Sequence, residues 1–184
     1  MSADYPSMTT AEIRSKFLNF FEERGLKLYP SSSLVPDDPS LLLANAGMNQ
    51  FKEYYQGKKT MKEIGAISCQ KCVRTNDIDC IGEDGRHLSF FEMLGDFSFG
   101  GVSKQQACAW AFELITKEFK LPLDRLYFTV FTEDDETHDV WRSLACRGSH
   151  FASGRGRQLL GRWPTGPAVR APRSTWTWAR RLVA

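Results

Sequence analysis

The chain has 184 residues, 42% of them hydrophobic and 25% charged, which is typical of a soluble globular protein and excludes wholesale disorder. No apolar run approaches the roughly 18 residues of a membrane span, and residues 1–7 lack the basic start and apolar core of a secretory signal. Five cysteines, an odd number, do not indicate a disulfide framework. We therefore expect a cytoplasmic protein in a reducing environment, without a membrane partner.

The helices and strands of the first half are indicated by local patterns. Thr9 and Glu12 form a capping box for a helix that Gly25 ends. Residues 26–29 are a short strand candidate, and the glycine and asparagines of 45–51 favour a tight bend.

Two longer strands follow, at 65–74 and 88–99, and the second is expected to break at Gly95. The polar loop 76–86 joins them, so we expect the two strands to pair antiparallel. A connection of this length without structure of its own is more often functional than decorative.

Beyond the hairpin, Ser103 and Gln106 form a second capping box, for a helix that continues to about Phe119. Residues 126–131 alternate as a strand, and Thr132 is expected to cap a last helix with an acidic first turn. The order helix, strands, helix, strand, helix predicts an α+β fold with an antiparallel sheet.

Charge divides the chain into two unequal parts. Residues 1–141 carry a net charge of −7, whereas 142–184 contain nine arginines, no lysine and no acidic residue, for a net charge of +9. The composition therefore predicts a folded region over 1–141 and a separate Arg-rich tail over 142–184.

Cys69 and Cys72 have the spacing of half a zinc site. A structural zinc needs four ligands, and no second pair at ligand spacing follows, so the pattern favours buried strand thiols and no metal site. The chain also lacks GxxxxGK[ST], GxGxxG and GxSxG, which leaves P-loop, Rossmann and serine-hydrolase functions without support.

The chemically informative residues lie at the ends of the predicted hairpin. Arg74 ends the first strand, Arg86 and His87 end the loop, and Phe90 and Phe91 begin the second strand. A guanidinium binds phosphate in a bidentate manner, and a phenyl face stacks on a purine. These residues would suit a nucleotide, but taken alone they also fit a surface ion pair of the arginine with Asp77 and phenylalanines that belong to the core.

A family resemblance favours the nucleotide. From about Thr9 to Trp141 the chain resembles the first part of the alanyl-tRNA synthetases, which are class II aminoacyl-tRNA synthetases. The segments that carry the resemblance are TAEIRSKFLNFFEERG (10–25), SSSLVPDDPSLLLANAGM (31–48), NAGMNQF (45–51), QKCVRTND (70–77) and RHLSFFEMLGDFSFG (86–100).

The resemblance implies part of a class II catalytic core, an antiparallel sheet flanked by helices, with the first two class II motifs at 45–51 and in the hairpin. It implies that Arg74 holds the α-phosphate of ATP, that Arg86 and His87 lie near the outer phosphates, and that Phe91 stacks on adenine. Asp77 and Glu92 match polar positions beside the nucleotide.

The implied reaction joins the carboxylate of alanine to the α-phosphorus of ATP, with Mg²⁺, and then transfers alanyl to tRNA(Ala). The third class II motif and the family's editing domain, which carries zinc, are expected beyond residue 184. We therefore expect an alanine–tRNA ligase fragment that binds ATP weakly at most and does not aminoacylate tRNA.

The tail allows two interpretations. Clustered arginines bind phosphate, so the chain could be a non-catalytic nucleic-acid-binding module with a basic arm. Alternatively, 142–184 is an out-of-frame, disordered segment. Back-translation in shifted frames favours this second interpretation, because it yields Asp-Asn-Phe-Trp and Ser-Glu-Ile-Tyr, which resemble the family's next segments.

Overall fold

The computed structural model describes residues 7–75, 78–83, 87–123, 126–130, 134–144 and 150–153. The helices are α1 (Thr10–Glu22), α2 (Lys52–Tyr55), α3 (Lys104–Glu113) and α4 (Asp135–Leu144), and the strands are β1 (Lys27–Leu28), β2 (Gly65–Val73), β3 (Phe90–Ser98), β4 (Tyr127–Val130) and β5 (His150–Ser153). The chain divides into two compact units, which among the described residues comprise 7–17 with 102–153, and 18–101.

The unit formed by residues 18–101 contains a three-stranded sheet in the order β1-β2-β3. β2 and β3 pair antiparallel over their full length, from Gly65 opposite Ser98 to Val73 opposite Phe90. This confirms the predicted hairpin and the α+β class. The sheet is nevertheless mixed, because β1 joins β2 in parallel. The long connection between these two strands lets the chain return in the same direction, as parallel pairing requires.

The expected break at Gly95 is wrong, since β3 passes through this residue without interruption. Side-chain packing explains the glycine instead. A Cβ at position 95 would lie 2.6 Å from Cζ of the Phe97 ring, which rests over the strand at this point. The sequence showed a glycine but not the ring that requires it.

The predicted capping of α1 is confirmed. Thr9 N donates to the Glu12 carboxylate at 2.7 Å, and Glu12 N donates to Thr9 Oγ1 at 3.3 Å. Gly25 follows the helix at φ +86°, a left-handed conformation that favours glycine.

The other unit contains α3, α4, β4 and β5. Ser103 caps α3 by accepting a hydrogen bond from Gln106 N at 3.2 Å, as predicted, and a π-helical turn at Leu114–Glu118 extends the helix. The prediction that Thr132 caps α4 is wrong. Thr132 lies outside the described residues, and Asp134 accepts from Thr137 N at 3.2 Å because it directly precedes the helix.

Regular structure continues past the predicted limit at 141. α4 extends to Leu144, with Val140 and Trp141 buried, and β5 pairs in parallel with β4. The residues expected to form the tail, 142–184, thus include the end of α4 and all of β5, while 145–149 and 154–184 lie outside the described residues, so the boundary at 141 stays a prediction. No helix in the described ranges is long and apolar enough to cross a membrane.

Candidate functional site

The two faces of the β2–β3 hairpin carry different sets of side chains. Successive residues of a strand point to opposite faces, and directly paired residues of two strands share one face. The pairing of Cys72 with Phe91 and of Ile67 with Asp96 therefore defines the faces. The Arg74 face carries Ala66, Ser68, Gln70, Cys72, Arg74, Phe91, Met93, Gly95 and Phe97. The Ile67 face carries Ile67, Cys69, Lys71, Val73, Phe90, Glu92, Leu94 and Asp96.

Arg74 and Phe91 meet on the Arg74 face. The guanidinium carbon of Arg74 lies 5.3 Å from the centroid of the Phe91 ring, within the range of a cation–π contact. Both residues are partly exposed, so a ligand in solution can reach them. The structure thus brings together, at the loop end of the hairpin, the cation and the ring for which the resemblance implies phosphate binding and base stacking.

The position of Arg74 is fixed by a segment distant in sequence. Its Nε donates to the backbone carbonyl of Asn45 at 3.0 Å, and Val73 N donates to the carbonyl of Ala44 at 2.9 Å. Arg74 N also donates to Ser89 O at 2.9 Å, which closes the hairpin at this end. The backbone at 44–45 therefore orients the guanidinium, a role that the sequence did not reveal.

The remaining predicted site residues are placed differently. His87 is exposed and lies three residues before the start of β3, in the connection that leads into this strand. Glu92 lies on the Ile67 face, opposite Lys71, so strand alternation directs its side chain away from Arg74 and Phe91. Asp77 and Arg86 lie outside the described residues.

Cys69 and Cys72 lie on opposite faces of β2, because their spacing of three residues is odd. They therefore cannot bind one metal ion together. Burial raises the pKa of the Cys72 thiol to about 11, although the positive charge of Arg74 lowers it in part. Among the described residues no group of three or more His, Cys, Asp or Glu side chains is suited to hold a metal ion.

A buried amide underlies this site. Gln70 is 1% exposed, and its Oε1 accepts from Ser32 N at 2.8 Å, from Ser32 Oγ at 3.1 Å and from Gln50 Nε2 at 3.1 Å. Its Nε2 donates to the carbonyls of Ser32 at 3.1 Å and Lys71 at 2.8 Å. The sequence contained one signal for this residue, because alternation along β2 places Gln70 on the face of Cys72 and Arg74.

The comparisons with known proteins agree with this architecture. The profile of the family described as tRNA synthetases class II (A) matches residues 12–153, which is most of the chain. The chain therefore belongs to the class II tRNA synthetases. The match extends beyond the limit at 141 that the resemblance had suggested, and it includes the last residues of α4 and all of β5.

The similar curated proteins include several alanine–tRNA ligases. The chloroplastic/mitochondrial enzyme of Sorghum bicolor is 53% identical over 131 residues, or 71% of this chain and 14% of the relative. The alanine–tRNA ligase of Synechocystis is 51% identical over 142 residues (77% and 16%), and that of Microcystis aeruginosa is 47% identical over 160 residues (87% and 18%). The recognised family is confirmed, and the chain spans less than a fifth of the length of these relatives.

Proposed function

We propose that the β2–β3 hairpin binds ATP and that the chain is a segment of an alanine–tRNA ligase. The observation that carries the proposal is the convergence of Arg74 and Phe91 on one face, with 5.3 Å between the guanidinium carbon and the ring centroid. Membership of the class II tRNA synthetases and the similarity to proteins named alanine–tRNA ligases support it.

In this proposal each described residue has a separate task. The guanidinium of Arg74 binds the α-phosphate, and its Nε bond to Asn45 fixes the plane in which the remaining N–H groups point. The ring of Phe91 stacks on the adenine, and His87 lies near the outer phosphates. Arg86 and Asp77 are proposed to assist from the loop. Glu92 is proposed to act beside the nucleotide only if the ligand also reaches the Ile67 face.

The chemistry proposed for the whole protein is activation of alanine. A carboxylate oxygen of alanine bonds to the α-phosphorus of ATP, and the bond from that phosphorus to the oxygen bridging to the β-phosphate breaks, which releases pyrophosphate. Arg74 offsets charge on the phosphoryl oxygens, and catalysis rests on positioning and electrostatics. Mg²⁺ would supply further charge neutralisation when bound to the triphosphate, and no group of ligands among the described residues assigns it a position.

The second proposed substrate is tRNA(Ala), which would accept the alanyl group in a cytoplasmic setting. None of the four described cysteines, Cys69, Cys72, Cys80 and Cys108, forms a disulfide, which is compatible with a reducing environment. Since the chain spans less than a fifth of its relatives, we expect weak ATP binding and no aminoacylation from these 184 residues.

Substitution of Arg74 tests the proposal. Calorimetric titration with Mg·ATP should show that Arg74→Ala binds at least about tenfold more weakly than the unchanged chain, because a hydrogen-bonded charge contributes roughly 1.5–3 kcal/mol. Arg74→Lys should retain part of the affinity, since a lysine keeps the charge but loses the bidentate geometry.

Lys71→Ala is the matched control, because it removes one exposed cation from the opposite face of the same strand. Equal ATP affinities of the Arg74→Ala variant and the unchanged chain would contradict the proposal, as would an equal loss in Lys71→Ala. A nucleic-acid-binding module would instead show tRNA affinity that falls steeply with salt and survives Arg74→Ala.

A further inference from the structure

Gln70 is connected to Arg74 through a segment that is attached to the hairpin at both ends. The segment comprises residues 44–51 and includes a 3-10 helix at Gly47–Phe51. At its beginning, the carbonyls of Ala44 and Asn45 accept from Val73 N and Arg74 Nε. Near its end, Gln50 Nε2 donates to Gln70 Oε1. The same segment therefore contacts both the buried amide of Gln70 and the partly exposed guanidinium of Arg74.

Every polar group of the Gln70 side chain is used in this arrangement. Its oxygen accepts three hydrogen bonds and its NH₂ group donates two. A carboxylate of the same shape would lose both donors, and an apolar side chain would leave partly buried groups of Ser32 and Gln50 without this partner. Of these three kinds of side chain, only an amide makes all five hydrogen bonds. Gln70 therefore holds its partners in fixed positions.

We propose that Gln70 is a positioning residue for Arg74. By holding Gln50 it fixes the 44–51 segment, and the segment in turn places the Asn45 carbonyl that orients the guanidinium over Phe91. The geometric part of this inference is independent of the ligand, while its consequence for ATP rests on the proposed function. An arginine side chain has about 2 kcal/mol of rotamer entropy to lose on binding, so a preorganised guanidinium binds phosphate more tightly.

The experiment removes the hydrogen bond between Gln50 and Gln70 by substituting Gln50, because substitution of the buried Gln70 could unfold the chain. Gln50→Ala removes one hydrogen bond to Gln70, and the isosteric Gln50→Glu replaces the donor by a carboxylate that faces the Gln70 oxygen. Gln56→Ala is the matched control, since this partly buried amide directly follows α2 and lies outside both the 44–51 segment and the Gln70 network. The first measurement is hydrogen exchange of the Arg74 Nε–H group by NMR without nucleotide.

We expect this exchange to be at least about threefold faster in Gln50→Ala and faster still in Gln50→Glu, and unchanged in Gln56→Ala. The second measurement is the affinity for Mg·ATP, which should fall several-fold in the two Gln50 variants only. Unchanged exchange in both Gln50 variants would overturn the inference. Faster exchange in a chain that never binds ATP would support the positioning role and contradict the proposed function, so the two failures are distinguishable.

Discussion

The Arg74 face and the Ile67 face of the hairpin are built from alternate residues of the same two strands, but they differ in what they carry. The Arg74 face combines a satisfied amide network at Gln70 with a partly exposed cation and ring. The Ile67 face carries the fully buried Ile67 and the buried Leu94. Phe90 and Phe91 are adjacent in sequence and point to opposite faces. Neighbouring residues of one motif therefore lie in different surroundings, and alternation places only Phe91 on the face of Arg74.

The largest expected effect comes from the Ile67 face. Ile67→Ala should lower the free energy of unfolding by about 4 kcal/mol, because the side chain is 0% exposed and its removal leaves a cavity. Ile67→Val should cost only about 1 kcal/mol. Denaturant unfolding measures both, and Arg74→Ala, on the other face, should change stability far less. If Ile67→Ala lowered the free energy of unfolding no more than Arg74→Ala does, this difference between the two faces would be contradicted.

A smaller, pH-dependent effect is expected at Asp96 on the same face. Desolvation raises the pKa of this carboxyl to about 7, so the folded state holds the proton more tightly than the unfolded chain. Its stabilising contribution is therefore present below about pH 4 and is lost as the pH rises through 7. Desolvation raises the pKa of the nearby Tyr55 hydroxyl, and the negative charge of Asp96 raises it further.

Asp96→Asn tests this charge, because an amide stays neutral at every pH. Raising the pKa from 3.8 to about 7 would be worth about 4 kcal/mol in a fully buried carboxyl, and the partial exposure of Asp96 reduces this to about 2 kcal/mol. The variant should be more stable than the unchanged chain by this amount at pH 8 and nearly equal to it at pH 4. Parallel stability curves from pH 4 to pH 8 would show that Asp96 is not desolvated.

Local patterns predicted much of this fold. The capping pairs at Thr9 and Ser103 depend on residues three positions apart, and the paired strands have a period of two, so the sequence displays both directly. The strand alternation also separates Glu92 from Phe91, a consequence that the family resemblance alone did not bring out.

The sequence could not supply contacts between distant segments. The carbonyl of Asn45 meets Arg74 across 29 residues, and Ser32 meets Gln70 across 38. The parallel pairing of β1 with β2 likewise depends on tertiary packing, and so does the position of the Phe97 ring over Gly95. Such contacts have no periodic signal, and they are the ones that orient the proposed site.

The most direct test of the nucleotide site compares the Phe90 and Phe91 ring resonances during a titration with Mg·ATP. If the nucleotide stacks on the Arg74 face, the Phe91 ring protons should shift progressively with ATP, because an adenine ring current acts on the ring that it covers. The Phe90 ring, on the Ile67 face, should shift much less. Equal shifts of both rings, or no shift of Phe91 at millimolar ATP, would contradict the account.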